Sequence, residues 1–157
     1  MSKLEVGKRA PGFTLEDENG TKVSLSDLAG QWVVLYFYPK DDTPGCTVEA
    51  CEFTSGLPKL DKLDAVVLGC SRDSAESHRK FIAKNKLKIR LLSDPDHEVM
   101  EKYGAWGEKN NYGKKTMGVI RSTALIDPAG RLAYQWPNVK AAGHAEQVRA
   151  KLAELAD

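Results

Sequence analysis

The sequence predicts an α/β protein with a central mixed β-sheet, helices on both faces and an N-terminal β-hairpin. Trp32 to Tyr38 is seven consecutive apolar or aromatic residues without polar alternation, the pattern of a strand buried on both faces. Ala65 to Cys70 is a second such run, and the helix-length segment between the two makes a βαβ unit. Further on, Asp127-Pro128-Ala129-Gly130 separates two runs of strand-formers, Gly118 to Asp127 and Arg131 to Trp136, which reads as a β-hairpin.

Taken in order, Phe13-Thr14-Leu15 and Lys22-Val23-Ser24 flank Asn19-Gly20, a hairpin turn signal, and this small hairpin is expected to be at most a lid. Ser26 to Gly30 suggests a short helical turn ended by glycine. Pro39 stops the first buried strand, and Thr43-Pro44 starts a helix, with Thr43 as N-cap and Pro44 at the first helical position. That helix is expected to run past a kink at Pro58 and to end near Leu63. After the second strand, Asp73 or Ser74 caps an amphipathic helix carrying Phe81, Ile82 and Leu87. Ile89 to Leu92 is a short strand, and Asp94-Pro95 opens a short helix that packs Val99 and Met100 and closes at Gly104. The Gly-, Lys- and Asn-rich stretch from Ala105 to Gly118 reads as a long loop anchored by Trp106 and Tyr112. Gly143 to Ala156 places Val148, Leu152 and Leu155 on one helical stripe.

The chemistry centres on two cysteines. Cys46 falls in the first turn of the helix that follows a central strand, where unpaired N–H groups and the positive end of the helix dipole favour a thiolate. Asp41 and Asp42 oppose this weakly if they point to solvent. Cys51 is five residues on, about 7.5 Å along the axis and about 140° around an intact helix. A disulfide needs Cα atoms about 4.4–6.8 Å apart. The pair therefore cannot bond while helical but meets at once if the turn unwinds, which is the behaviour of a redox-switched helix. Unwinding would expose Val48 and Phe53. Cys70, at the end of an apolar run, reads as a small core residue.

Pro39, Thr43 and Cys46 match a P-x-x-x-T-x-x-C signature, and with TPGCTVEACEF and the five-residue cysteine spacing the chain resembles the peroxiredoxins of the bacterioferritin comigratory, or Q-type, subfamily. The similarity runs through Gly69-Cys70-Ser71-Arg72-Asp73-Ser74, Leu92-Ser93-Asp94 and Gly118-Val119-Ile120-Arg121-Ser122-Thr123, and departs at Cys70, where the family more often carries an aliphatic residue. The resemblance implies a thioredoxin-like fold. It also implies a peroxidase acting on hydrogen peroxide and organic hydroperoxides, with Cys46 as the peroxidatic and Cys51 as the resolving cysteine. Thioredoxin is the implied reductant, and no metal, haem or flavin is implied. Arg121 is expected in a strand, where a charge among apolar residues is costly unless paired or aimed at a site. The resemblance aims it at the peroxidatic thiolate, with Glu49 orienting it. Backbone N–H groups of Gly45 and Cys46 and the Thr43 hydroxyl are further donors toward an oxygen that gains charge.

Singly, each of these residues has an ordinary structural reading: a helix cap, an edge-strand arginine, a buried thiol. Only the joint spacing after a buried strand points to chemistry. A thiol–disulfide oxidoreductase is the alternative enzyme, against which the absent Cys-x-x-Cys counts, and a redox-sensing or chaperone-like binding protein is the alternative outside enzymes.

At 157 residues the chain fits one domain spanning 1–157, large enough to bury roughly 68–70% of its unfolded surface without disulfides. Twenty-three Lys and Arg against 22 Asp and Glu leave a charge of +1, which gives no electrostatic case for nucleic acid or an anionic membrane. No apolar run approaches the length of about 18 residues of a membrane span, and Met1 to Glu18 lacks a signal-peptide core, so a cytoplasmic protein is expected. His78, His97 and His144 lack ligand spacing and read as surface or helix-end residues. Because both redox cysteines sit on one short segment, a monomer is expected.

Overall fold

The computed structural model describes residues 4–111 and 113–156. The first buried run is strand β3 (Trp32–Phe37), preceded by β1 (Thr14–Glu16), β2 (Lys22–Ser24) and a 3-10 turn over Leu25–Leu28. Helix α1 (Pro44–Asp61) leads to β4 (Ala65–Ser71), and α2 (Ala75–Asn85) leads to β5 (Arg90–Ser93). Then come α3 (Glu98–Lys102), β6 (Trp106–Asn111), β7 (Lys114–Val119), β8 (Ser122–Ile126), β9 (Leu132–Trp136) and α4 (His144–Ala156).

Seven strands form one mixed sheet in the order β2-β1-β5-β4-β3-β8-β9. β3 sits inside it, parallel to β4 from Trp32 opposite Ala65 to Phe37 opposite Cys70, and antiparallel to β8 from Val33 opposite Ile126 to Phe37 opposite Ser122. Its unbroken apolar pattern follows from this position, because alternate residues face two cores. Val33, Leu35 and Phe37 pack with Leu92, Met100 and Tyr103, while Val34, Tyr36 and Tyr38 pack under α1, α2 and α4 with Phe53, Phe81 and Val148. Helices cover both faces unequally, since α3 alone, through Val99 and Met100, joins the first core.

Several expectations need correction. The N-terminal hairpin is no lid: β1 pairs with β5 through Glu16 and Ser93 and extends the main sheet. The stretch expected as a long loop from Ala105 to Gly118 is a two-stranded ribbon, β6 with β7, turned at Gly113 with φ +80°. Its Lys- and Asn-rich strands lie outside the main sheet, so they carry no buried alternation by which a strand is recognised. Trp106 anchors it, stacked on His97 with ring centroids 3.9 Å apart and covered by the Arg72 guanidinium; Tyr112 lies outside the described residues. Leu155 is 38% exposed, so the inner stripe of α4 reduces to Ala145, Val148 and Leu152. His78 and His144 are fully buried rather than superficial, although His144 is a helix-end residue, the first of α4. Among the described residues, no helix is long and apolar enough to cross a membrane.

Candidate active site

β3 ends at Phe37, and the chain turns through Pro39 to Asp42 before α1 begins. Tyr38 holds the turn to β4 through its N–H, which donates to the Cys70 carbonyl. Asp41, whose direction the sequence leaves open, is buried, and its carboxylate gathers three side chains. It accepts from the Tyr38 hydroxyl at 2.6 Å and the Ser77 hydroxyl at 2.8 Å, and it meets His78 Nδ1 at 2.7 Å. His78 Nε2 lies 3.0 Å from the Leu92 carbonyl, so β3, α2 and β5 are tied together beneath the turn. Asp42 takes φ +61° and meets Lys84 at the surface, 3.0 Å away. A four-residue turn between a buried strand and a helix is thereby fixed by side chains remote in sequence.

Thr43 occupies the N-cap position, but its side chain makes no capping bond. Its hydroxyl donates to the Lys40 carbonyl at 2.9 Å, which leaves its oxygen free to act as an acceptor rather than as the donor expected from sequence. The Thr47 N–H makes the first helical bond, to the Thr43 carbonyl, so the N–H groups of Gly45 and Cys46 precede the ladder. Cys46 is 1% exposed and lies with Ala50 and Phe53 in the core beneath α1.

Arg121 reaches Cys46 from the segment just before β8, the antiparallel neighbour of β3. It stands in a two-residue break between β7 and β8, not within a strand as its sequence context suggested. Its carbonyl accepts from the Val139 N–H instead of a ladder partner. Leaving the ladder lets the side chain turn toward α1, where Nη2 donates to Cys46 Sγ at 3.2 Å and Nη1 donates to Glu49 Oε1 at 2.5 Å. Gly45 permits this approach, because a Cβ there would meet Arg121 Nη2 at 3.2 Å. Burial works to lower the guanidinium pKa, and the charges of Glu49 and Cys46 more than offset it, so the net shift is upward. Burial pushes the Glu49 carboxyl up to about 7 against the pull of Arg121, with Glu52 adding to the rise.

Cys51 sits in the same unbroken helix, partly exposed, and all three cysteines are free thiols. It lines a pocket of about 360 Å³ between α1 and α4 with Glu52, Lys59, Ala145 and Arg149. Cys70 is fully buried on β4, where burial pushes its thiol well up, in keeping with a core residue. Val48 is already 41% exposed, whereas Phe53 is fully buried. Phe53 stacks on Tyr36 at 4.7 Å and meets His144 edge-on. Unwinding of α1 therefore uncovers Phe53 and not Val48, a correction to the pair expected from sequence.

The structure thus brings Thr43, Cys46, Glu49 and Arg121 to one end of β3, with Pro39 in the preceding turn and Cys51 along the helix. Reading the sequence used the Gly45 N–H but missed the room that its missing side chain leaves for Arg121, for which its smallness beside a helix-start cysteine was the available signal. It also missed the Asp41–His78 contact, for which a spacing of 37 residues offers none.

The AhpC/TSA family profile matches residues 6–135. Peroxiredoxin Bcp of Bacillus subtilis is 44% identical over 154 residues, covering 98% of this chain and 98% of its own length. Two solved structures superpose over almost the whole chain. One is the bacterioferritin comigratory protein of Xanthomonas campestris, studied for its alkyl peroxide reduction activity, with a TM-score of 0.91, 41% identity and coverage of 98% of this chain and 100% of that one. The other is a cysteine-to-serine mutant of Xylella fastidiosa PrxQ, with a TM-score of 0.93, 40% identity and full coverage of both chains. With a family profile over most of its length and a relative aligned end to end, the chain belongs to the AhpC/TSA family and, within it, to the thioredoxin-like peroxiredoxins of the bacterioferritin comigratory, or Q-type, group.

Proposed function

We propose that the protein reduces hydrogen peroxide and organic hydroperoxides through Cys46, with Cys51 as the resolving thiol and thioredoxin as the external reductant. The observation that carries this reading is the Arg121 N–H donated to Cys46 Sγ at 3.2 Å at the start of a helix that also holds Cys51. A guanidinium and the dipole of α1 both favour the thiolate. The hydroperoxide enters with its O–H donated to Thr43 Oγ1, and Arg121 with the N–H groups of Gly45 and Cys46 faces the charge that builds on the departing oxygen. Pro39 shapes the turn that holds Thr43, and Glu49 orients Arg121.

Attack leaves Cys46 as a sulfenic acid, which condenses with Cys51 to release water and form an intramolecular disulfide. A dithiol then reduces that disulfide by exchange. Support for alkyl hydroperoxides comes from the Xanthomonas relative studied for that activity. Because the resolving thiol comes from the same helix, turnover needs no second subunit, and a cytoplasmic monomer fits the chemistry. The test is hydroperoxide consumption by the purified protein with thioredoxin, its reductase and NADPH. Turnover lost in Cys46→Ser, and reduced to a single oxidation event in Cys51→Ser, is expected; turnover in Cys46→Ser would defeat the assignment.

A further inference from the structure

Arg121 is one cation shared by two acidic groups. Its guanidinium donates to Cys46 Sγ through Nη2 and to Glu49 Oε1 through Nη1, and Cys46 and Glu49 stand three residues apart on one face of α1. Glu49 is fully buried, and its Oε2 has no hydrogen-bond partner among the described residues. If Cys46 and Glu49 were both ionised, the cluster would carry a net negative charge in a site almost closed to water. Buried sites relieve an unmatched charge by taking up a proton.

The surroundings act in the same direction. Glu52, also on α1, repels a second negative charge, and burial is the leading cause that pushes Glu49 up to about 7. From β3 the Tyr36 hydroxyl is held neutral, raised by burial and then by Glu49. From α4 the His144 imidazole is lowered by burial and by Arg121. Neither competes as a charged partner, so two acids and one cation hold a single proton between them.

We propose that Glu49 takes this proton from the Cys46 thiol and delivers it to the departing oxygen of the hydroperoxide, acting as a catalytic acid–base in addition to orienting Arg121. The proposal rests on the peroxidase reading above. In the first step Cys46 passes its proton to the Glu49 carboxylate, giving thiolate and carboxylic acid. The thiolate then attacks the terminal oxygen of R–O–O–H. The S–O bond forms as the O–O bond breaks, sulfur supplies the electron pair, and the hydroxyl stays on sulfur as sulfenic acid. The alkoxide RO⁻ takes the proton from Glu49 and departs as ROH, restoring a carboxylate paired with Arg121. Thiol and hydroperoxide become sulfenic acid and alcohol with no proton drawn from solvent. Oε2 is the atom that carries the proton, because Oε1 is occupied by Arg121. Cys46 Sγ and Glu49 Oε1 contact the same guanidinium, which keeps this carboxyl one guanidinium away from the reacting sulfur.

The experiment compares two oxidants that differ in their need for that proton. tert-Butyl hydroperoxide expels a strongly basic alkoxide, whereas peracetic acid expels acetate, which needs none. Stopped-flow oxidation of reduced protein is measured with both, on the unmodified protein and on Glu49→Gln, whose amide oxygen still accepts from Arg121. We expect Glu49→Gln to lose on the order of 100-fold with tert-butyl hydroperoxide, the lower end of general acid–base contributions, and a loss at least about tenfold smaller with peracetic acid. In the unmodified protein, the tert-butyl hydroperoxide rate should fall as pH rises through about 7, and the peracetic acid rate should lack that falling limb. This comparison needs no variant to fold. Equal losses with the two oxidants, no loss with either, or identical pH profiles would overturn the proposal and leave Glu49 as a positioning residue. Failure of both oxidants to oxidise Cys46 in the unmodified protein would instead defeat the peroxidase reading.

Discussion

Arg121 makes the shortest link between structure and chemistry, because one side chain 17% exposed satisfies both a buried thiol and a fully buried carboxylate. Replacing it with methionine keeps much of the stem and removes every donor. Arg121→Met should slow Cys46 oxidation by about 10²–10³, the size of one lost donor to developing charge, as read by stopped-flow fluorescence. An unchanged rate would detach the guanidinium from the reaction. Glu49 also gives a pH signature in stability. Its folded value is raised from 4.5 to about 7, so its contribution is fully present below the unfolded value and is lost as pH rises through the folded one. Unfolding by urea should show the unmodified protein losing ground to Glu49→Gln across that window, by an amount of order a few kcal/mol. Parallel curves for the two proteins would mean that Glu49 is ionised throughout. At this scale the sequence was legible where neighbours in the chain stay neighbours in the fold: Pro39, Thr43, Cys46 and Cys51 lie within thirteen residues, on one turn and the helix that follows it. It was opaque where a contact joins distant segments, as with Asp41 and His78, and where a hydroxyl had two available partners, as with Thr43, which bonds Lys40 instead of capping its helix.

Among the elements, α1 carries the conflict between stability and resolution. Cys46 and Cys51 lie on one continuous helix, about 140° apart around it, so disulfide formation requires its first turns to unwind. What resists is specific. Phe53 is stacked on Tyr36 and edge-on to His144, and the Glu52 carboxylate accepts from the Gly143 N–H just before α4. Oxidation should therefore strip amide protection from Thr43 to Thr54 while leaving β3 and β4 protected, as read by hydrogen exchange on reduced and peroxide-treated protein. Equal protection in both states, with the disulfide confirmed, would mean that the helix need not open. The helix was legible from its Thr43-Pro44 start and apolar spacing because those signals are local. The β6–β7 ribbon was not, because its strands are rich in Lys and Asn and β7 is mostly exposed, so they carry no pattern beyond that of a loop. The isolation of Arg121 from both flanking strands was hidden for a related reason. A strand-like run does not reveal where the ladder is interrupted, and here the interruption is set by Val139 pairing with the Arg121 carbonyl.

For the whole molecule, the mixed sheet places the end of β3 where α1, the β7–β8 break and the segment before α4 converge, which is where open α/β sheets place their sites. The fold class was legible because β3 and β4 are apolar on both faces, and that follows from their interior position. The attachment of the N-terminal hairpin beside β5 was not, since one pair, Glu16 opposite Ser93, makes that join and leaves no periodic trace. The same architecture separates the thiols: Cys46 and Cys51 share α1, while Cys70 is sealed in the opposite core with no exposure. The most direct test is peptide mapping by mass spectrometry after reduced protein receives one equivalent of hydroperoxide under native conditions. The structure predicts a monomeric product that has lost two hydrogen atoms, with Cys46 joined to Cys51 in one chain and Cys70 still a free thiol. A disulfide through Cys70, or one joining two chains, would contradict the assignment of Cys46 and Cys51 as the attacking and resolving pair.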